Sequence, residues 1–349
     1  MGIYIDKNDA LGQLIEKQAA ILHQKLLQLD VASLDIPYYC KEYFKGSHFR
    51  RLTFSIQTSA HLLYNAIQLS GKTPDALTLM DYGAGVGTLY TLAKMIGCSK
   101  VIYNDHLADW QHSARQIAGA IGVAVDHYIV GDIGPTLEQL NAAQISCDII
   151  LSRNVIEHIY KLDLFYAQVS RLQPDAILYQ STTANAANPG ARLQHWFLHR
   201  RWEKVYYPKR AALLSRAFPG LQPAEVEQMA RLTRGRSWAD IEPLAAEYQK
   251  NKRFPEPVAC GSNTCDPENG VWAEHMISFR EHRNLMKAGN YTAGFAPGFW
   301  DTHYSSSIKN ILGKILNRLI SLNHTTGLML GSFVYIIALP PSQNRKSPK

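Results

Sequence analysis

The sequence of 349 residues predicts an α/β protein with an open, mostly parallel sheet. From residue 76 onward, short apolar runs alternate with segments of helical periodicity, which is the pattern of strands joined by crossover helices. The first run leads into Asp-Tyr-Gly-Ala-Gly-Val-Gly, residues 81–87, where glycine occupies every second position. A glycine-rich turn between a strand and a helix is typical of a Rossmann-like sheet whose backbone approaches a ligand closely.

The composition is that of a globular protein with a sizeable core, since 46% of the residues are hydrophobic and 19% are charged. The five cysteines are scattered, which argues against a disulfide framework and indicates a reducing compartment. The first residues show no signal-peptide pattern, and the longest apolar run, 327–339, is too short to span a bilayer. We therefore expect a cytoplasmic protein without a transmembrane segment.

The N-terminal region, residues 1–75, is predicted to be helical because leucine and isoleucine recur at helical spacing in it. The core is predicted to comprise 76–181 and 271–339. Its first five strands are expected at 77–82, 101–104, 127–130, 147–152 and 176–180. The helices between and after them are expected at 86–96, 108–121, 136–143 and 162–172. The last two strands are expected at 292–297 and within 328–339.

Residues 182–270 interrupt this order and are predicted to form a helical insertion, rich in basic and aromatic residues, that caps the core. Helices are expected at 223–234 and 238–249, the second with a capping box of Ser237 and Asp240. After the insertion, Ser278 and Glu281 predict a capped helix that ends at Gly289. The basic tail, 340–349, is predicted to be disordered.

Segment 306–323 is predicted to be an amphipathic helix. Its apolar residues repeat at helical spacing: Ile308, Ile311, Leu312, Ile315, Leu316 and Leu319. Three basic residues lie off this face: Lys309, Lys314 and Arg318. We expect the apolar face to pack against the sheet, and a membrane-surface contact is the second interpretation.

The glycine pattern separates two kinds of nucleotide site. A dinucleotide fingerprint requires Gly-x-Gly-x-x-Gly, but this chain has glycine at Gly83, Gly85 and Gly87, with Thr88 at the place of the third fingerprint glycine. The pattern Asp-x-Gly-x-Gly-x-Gly, which begins at Asp81, instead resembles the first motif of the class I S-adenosylmethionine-dependent methyltransferases.

The resemblance continues at the ends of the next strands and in the late segment 274–300. Together it covers residues 76–181 and 272–339. Asp105 ends Val-Ile-Tyr-Asn-Asp, where the family has an acid that accepts hydrogen bonds from the ribose hydroxyls. Asp132 and Ile133 match the residues that bind the adenine ring, and Asn154 begins a segment similar to the fourth-strand motif of the family's small-molecule branch. That branch implies a seven-stranded sheet whose last strand is antiparallel.

The resemblance implies a transferase that binds S-adenosyl-L-methionine and releases S-adenosyl-L-homocysteine. The residues that it places at the cofactor are Asp81, Gly83, Gly85, Gly87, Asp105, His106, Asp132, Ile133 and Asn154. Transfer from a sulfonium needs alignment and a dry pocket, and it needs a base only for a neutral hydroxyl or a protonated amine. His158 is the candidate base, paired with Glu157; the alternative is a helix-start histidine that bonds only the backbone or Glu157.

No metal is predicted. His195 and His199 have metal-ligand spacing on a helix but lack an evident third ligand, and Cys260 and Cys265 lack a second pair. Of the net charge of +7, six units arise between Arg192 and Arg216, where seven basic residues oppose one acid. That charge indicates a solvated face or a site for an anionic substrate.

The N-terminal helices and the insertion are expected to cover the acceptor. The candidate acceptor-binding residues are His195, His199, Arg200, Arg201, Trp272 and His275. We expect a small-molecule or glycan-like, possibly anionic acceptor that is methylated at oxygen, with nucleic acid disfavoured. The alternatives are an RNA- or nitrogen-directed methyltransferase, a dinucleotide-dependent oxidoreductase and a donor-binding protein without catalysis. The sequence does not predict an oligomeric state.

Overall fold

A computed structural model describes residues 2–344 and confirms the predicted fold class. Its centre is a seven-stranded sheet with the order β3-β2-β1-β4-β5-β7-β6. The strands are β1 (Thr78–Tyr82), β2 (Lys100–Asp105), β3 (His127–Val130), β4 (Ile149–Arg153), β5 (Ile177–Thr182), β6 (Thr292–Pro297) and β7 (Val334–Leu339). Strand β7 runs antiparallel to both of its neighbours, and the first five strands pair in parallel. All seven lie close to their predicted positions.

Helices cover both faces of the sheet. They are α1 (Ala10–Gln28), α2 (Tyr38–Tyr43), α3 (Leu52–Ser70), α4 (Leu89–Met95), α5 (Ala108–Ala120), α6 (Ile133–Ala142), α7 (Leu162–Leu172), α8 (Pro189–Ala217), α9 (Pro223–Leu232), α10 (Trp238–Asn251), α11 (Phe279–Ala288), α12 (Ser307–Ile320), α13 (His324–Leu330) and α14 (Pro341–Asn344). Short 3-10 turns occupy Val31–Ser33, Phe49–Arg51, Pro74–Ala76 and Ile156–His158, and Phe44–His48 forms a π turn. Helices α1, α3, α4 and α5 bury one face of the sheet, and α6, α7 and α11 bury the other.

The insertion has a small core of its own. Leu214 of α8 packs with Met229 of α9 and Ile241 of α10, all three with exposures near zero. Part of the basic charge predicted for this region is used internally, since the buried guanidinium of Arg210 pairs with Glu203 and donates to the carbonyl of Ala230 at 3.0 Å. These cations therefore stabilise the insertion itself.

Four local predictions differ from the structure. The apolar run 328–339 is divided, because its first residues complete α13 and only Val334–Leu339 forms a strand. Ser237 precedes α10 without a side-chain cap, and Asp240 accepts a hydrogen bond from the Tyr160 hydroxyl at 2.6 Å instead. Helix α11 stops at Gly289 with ordinary φ, and Asn290 takes the left-handed conformation. Of the predicted tail, Pro341–Asn344 is helical and 345–349 lie outside the described residues.

The prediction for segment 306–323 was wrong in its main interpretation. The segment forms α12, but Ile308, Ile311, Leu312 and Ile315 face solvent, with exposures between 52% and 71%. Within this helix only Gly313 and Ile320 are buried. The apolar face therefore does not pack against the sheet.

Within residues 2–344, no helix is long and apolar enough to cross a bilayer. The cytoplasmic location remains a prediction.

The capping box of α11 provides a test of the helix boundaries. Ser278 Oγ accepts from the backbone N–H of Glu281 at 3.2 Å, and the Glu281 carboxylate accepts from the Ser278 N–H at 2.8 Å. We expect Ser278→Ala to lower the free energy of unfolding by about 1 kcal/mol, because helical N–H groups lose their acceptor. Urea denaturation measures this loss. Ser305→Ala, at an exposed position, is the control, and an equal loss in both variants would contradict the assignment.

Candidate functional site

The carboxyl ends of β1 to β4 meet at one edge of the sheet, and the loops that follow them form three adjoining cavities. A cavity of about 250 Å³ lies against the glycine loop after β1. A larger cavity of about 600 Å³ lies beside the ends of β2 and β3. A cleft of about 160 Å³ is bounded by α3, β4 and β5. This edge is where ligands bind in open α/β sheets.

Two glycines of the loop are required by geometry. Gly83 has a φ of +67°, and a Cβ there would lie 2.6 Å from the side chain of Val155, in the loop after β4. Gly85 has a φ of +52°, and a Cβ there would point into open space, with no atom within 4 Å. Gly83 therefore permits contact between the loops after β1 and β4. At Gly85 no side chain covers the backbone that faces the cavity.

Asp105 is fixed by the backbone on both carboxylate oxygens. Oδ2 accepts the N–H of Gly85 at 2.9 Å, and Oδ1 accepts the N–H of Leu107 at 3.0 Å. The side chain is 7% exposed, and Asp105 still lines the larger cavity. Its neighbour His106 is exposed, with Nδ1 3.4 Å from Oδ1 of Asp105, which raises the pKa of His106. Asp105 thus presents a preoriented acceptor to the cavity.

Asp132 and Ile133 also line this larger cavity. Asp132 is exposed and precedes α6 without making a side-chain cap, so its carboxylate is available to a ligand. Ile133 is buried beside it. On the cavity floor, Asn104 donates to Thr136 Oγ1 at 2.8 Å and to the carbonyl of Gly131 at 3.0 Å. An acid next to an apolar side chain suits a ring that carries an amino group.

Asn154 is common to all three cavities. It directly follows β4 and has a φ of +57°, a conformation that asparagine tolerates better than most residues. Its N–H donates to the carbonyl of Ser181 at 2.8 Å, which ties it to the end of β5. The residue expected to contact the cofactor therefore also faces the space from which a second substrate would approach.

Arg153 is a site residue that sequence analysis missed. It lines both the cavity at the glycine loop and the adjoining cleft. One terminal nitrogen donates to Ser55 and Thr58 of α3 at 2.8 to 2.9 Å, and burial lowers the pKa of its guanidinium. An arginine at the end of an otherwise apolar strand, in the run Ile-Ile-Leu-Ser-Arg, was the available signal. A cation at this junction attracts an anionic group of either ligand.

Asp81 lies behind the glycine loop. Its carboxylate accepts the N–H of Tyr90 at 3.0 Å and so joins β1 to the first turn of α4. Asp81 is buried, and burial raises its pKa to about 7 although Arg153 acts in the opposite direction. This contact supports the loop, and the expected place of Asp81 at the cofactor stays a prediction.

The cleft is walled by the N-terminal helices. Arg51, Phe54, Ser55 and Thr58 line it from the segment at the start of α3. Tyr43 of α2 lines both the cleft and the cavity at the glycine loop. Of the predicted insertion, 182–270, only Thr183 is among the described residues that line the cleft.

His158 faces the larger cavity with a defined tautomer. Its Nδ1 lies 2.8 Å from the carbonyl oxygen of Trp272. Because a carbonyl only accepts, Nδ1 carries a proton, and in the neutral ring the lone pair is on Nε2. Glu157 is buried, and within the described chain neither carboxylate oxygen has a hydrogen-bond partner. Burial raises the pKa of Glu157, with His158 acting in the opposite direction.

Most candidate acceptor residues make internal contacts. His195 Nε2 lies 2.6 Å from Glu274, and His199 bonds Ser262 and the carbonyl of Glu274, so both join α8 to the loop at 262–275. Trp272 and His275 stack on each other with ring centroids 4.0 Å apart.

Arg200 and Arg201 are exposed on α8, and Arg200 lies over the ring of Trp196. The structure does not bring these predicted residues to the three cavities. In the part of the chain that is described, no group of three or more His, Cys, Asp or Glu is arranged to hold a metal ion.

Comparison with known proteins gives matches in solved structures. No family model matches, and no curated protein matches. The matched structures include a candidate sarcosine dimethylglycine methyltransferase from Galdieria sulphuraria, with 10% identity over 93% of this chain and 98% of that chain and a TM-score of 0.41. An S-adenosylmethionine-dependent methyltransferase from Mesorhizobium loti has 12% identity over 80% of this chain and 97% of that chain, with a TM-score of 0.39.

A third match is the SAM-dependent methyltransferase from Agrobacterium tumefaciens, with 16% identity over 35% of this chain and a TM-score of 0.29. This chain spans 44% of the length of that protein. At these identities and scores, the strand order and the local geometry decide the fold. The sheet has seven strands, five parallel at the start and β7 antiparallel, as the resemblance implied. The chain therefore has the seven-stranded Rossmann-like sheet that the resemblance to the class I S-adenosylmethionine-dependent methyltransferases implied.

The buried carboxyl of Asp81 predicts a pH-dependent stability. The pKa of Asp81 is about 7 in the folded state, against an ordinary carboxyl pKa of 3.8, so the folded state binds more protons between these pH values. The free energy of unfolding should therefore fall as pH rises through that window. An asparagine at this position does not titrate, so only wild type loses stability as pH rises. We therefore expect the free energy of unfolding of Asp81→Asn minus that of wild type to rise between about pH 5 and about pH 8, as measured by urea denaturation. Asp175→Asn, at an exposed site, is the control, and a pH-independent difference for Asp81→Asn would contradict the prediction.

Proposed function

We propose that this protein is an S-adenosylmethionine-dependent methyltransferase that methylates an oxygen of a small or glycan-like, anionic acceptor. The observation that carries the proposal is the arrangement around Asp105. One carboxylate holds the bare glycine loop and borders the larger cavity, so the loop and the acid are fixed relative to each other. Such a pair suits a ligand with a ribose and a second polar part a few bonds away.

The residues present fit the parts of this donor. Gly83, Gly85 and Gly87 offer a backbone surface to its amino-acid portion, Asp105 accepts from its ribose hydroxyls, and Asp132 accepts from its adenine amino group. S-Adenosylmethionine supplies a methyl group that is already activated on a sulfonium. The protein's contribution is then to align a nucleophile and to exclude water.

The cleft beside Asn154 is the proposed acceptor site. It adjoins the glycine-loop cavity and holds two arginines, Arg51 and Arg153, among aromatic and hydroxyl side chains. The Arg153 guanidinium is fixed by α3, so an anionic acceptor group meets a cation that is already oriented. This placement favours an acceptor bearing carboxylate or phosphate, and it moves the proposed acceptor contacts from α8 to α3 and β4.

His158 is the proposed base for a neutral hydroxyl acceptor. It lines the larger cavity and not the cleft, so such a hydroxyl has to reach past Asn154, which borders both. Its Nε2 lone pair is available, while the Trp272 carbonyl holds the ring in place. Glu157 is a positioning residue in this scheme. Its buried carboxyl belongs to the residue before His158, and the charge interaction between the two stabilises the positive charge that His158 gains. A carboxylate acceptor would react without this base.

Calorimetry tests donor binding. We expect wild type to bind S-adenosylmethionine and S-adenosylhomocysteine, and Asp105→Ala to weaken both by about 100-fold or more, because a charged acceptor of two hydroxyl hydrogen bonds is lost. The control is Asp175→Ala, an exposed acid just before the start of β5 that lines none of the three cavities, which should bind as wild type does.

Thermal unfolding of both variants separates lost binding from lost folding. Wild type that fails to bind either ligand, or a folded Asp105→Ala that binds with undiminished affinity, would overturn the proposal. Binding of a nicotinamide dinucleotide in their place would reassign the site to an oxidoreductase.

Transfer of a labelled methyl group tests the acceptor and the base. Incubation of the protein with methyl-labelled donor and fractionated metabolites should label an anionic small molecule, and added RNA should stay unlabelled. We expect His158→Ala to lower the transfer rate at saturating donor by about 100-fold or more. The control is His127→Ala at the start of β3, away from the cavities. If His158→Ala folds and transfers methyl groups at the wild-type rate, His158 is not the base and only lines the cavity.

A further inference from the structure

The apolar side of helix α12 is exposed to solvent, and its polar side faces the rest of the protein. Its most exposed large residues lie along one stripe and have exposures between 38% and 71%: Ile308, Ile311, Leu312, Ile315 and Leu319. Leu322, in the turn that follows, and Met329 of α13 are exposed as well. Isolated apolar residues on a surface are ordinary, but a continuous stripe along a helix marks an interaction site.

Hydrogen bonds fix α12 in this orientation. The side-chain amide of Asn317 accepts from the N–H of Trp300 at 2.6 Å and donates to its carbonyl at 2.9 Å. Asn310, two turns earlier, makes the same pair of bonds with Tyr304, both at 2.8 Å. Gly313 lies between them, and a Cβ there would come within 2.6 Å of the carbonyl oxygen of Asp301. The apolar stripe is therefore held outward by the contacts of the opposite face.

Basic residues border the stripe on both sides. At about 100° per residue, Lys314 and Arg318 lie along one border and Lys309 lies along the other. After Asp301 the sequence contains six lysines and arginines and no aspartate or glutamate. Apolar side chains in the middle with cations at the edges are the arrangement of a helix that lies in the interface of an anionic bilayer.

We propose that α12 docks this protein on an anionic lipid surface, with the stripe in the acyl boundary and Lys309, Lys314 and Arg318 at the lipid phosphates. The helix is about 21 Å long, so it lies in the interface and does not span the bilayer. Charge favours lipid over a second copy of the chain. Across a two-fold axis the same three cations would approach their equivalents, with no acid from this segment to pair them.

The docking face is linked to the arginine cleft. Asp301, one residue after the Trp300 that binds α12, accepts from Arg51 at 3.2 Å, and Arg51 lines the cleft. A single short segment therefore holds both the outward-facing helix and an arginine of the cleft. Docking through α12 therefore attaches to the lipid surface the same segment that holds an arginine of the cleft.

Flotation with lipid vesicles tests the docking. We expect the protein to float with vesicles of phosphatidylcholine mixed with phosphatidylserine, and to bind pure phosphatidylcholine more weakly. Ile315→Asp should lower the affinity by about 10-fold or more, because it removes apolar burial and adds a negative charge. Lys314→Ala should lower it about fivefold.

Leu27→Asp is the matched control, since Leu27 on α1 is 50% exposed and Ile315 is 52% exposed. It should float as wild type does, and thermal unfolding checks that all variants fold. The proposal is overturned if Ile315→Asp floats as well as Leu27→Asp, or if charged and uncharged vesicles bind equally. It is also overturned if sedimentation without lipid shows a dimer that Ile315→Asp dissociates.

Discussion

The contact between Gly83 and Val155 is the constraint on which the site depends. The missing side chain at Gly83 lets the loop after β4 lie directly against the glycine loop after β1, at a separation that any Cβ would prevent. That approach brings Asn154 to the point where the three cavities meet, and its left-handed backbone turns the chain from β4 toward the 3-10 turn at Ile156–His158. The proposed donor and acceptor cavities adjoin because two loops from neighbouring strands touch.

Electrostatics at this junction is set by burial. Asp81 and Arg153 lie in low-dielectric surroundings behind and beside the glycine loop, and burial pushes each toward its neutral form while the other opposes that shift. Because Arg153 is held by hydroxyl and carbonyl oxygens of α3, its charge is partly solvated by the protein and stays directed at the cleft. A cation prepared in this way is a specificity element for an anionic ligand.

The prediction from sequence succeeded where local chemistry dictates structure. Strand ends at Asp81, Asp105 and Asp132 were recognisable because an apolar run, an acid and a glycine or turn residue occur together, and the sheet then brings them to one edge. His195 and His199 show the opposite case. Their spacing predicted a shared face correctly, but what that face meets, here Glu274 and Ser262, depends on how a distant loop returns to α8.

By itself, the sequence determined the class of sheet, the order of its strands along the chain and the acids and glycines at their ends, because periodicity and turn residues act locally. Only the tertiary structure decided which face of α12 points outward and that Arg153 reaches the cleft. An amphipathic helix has two faces, and the pairing of Asn310 and Asn317 with Tyr304 and Trp300 selected the buried one. These contacts between α12 and the segment before it leave no recognisable pattern in the sequence, because nothing in the sequence marks either partner as one of a pair.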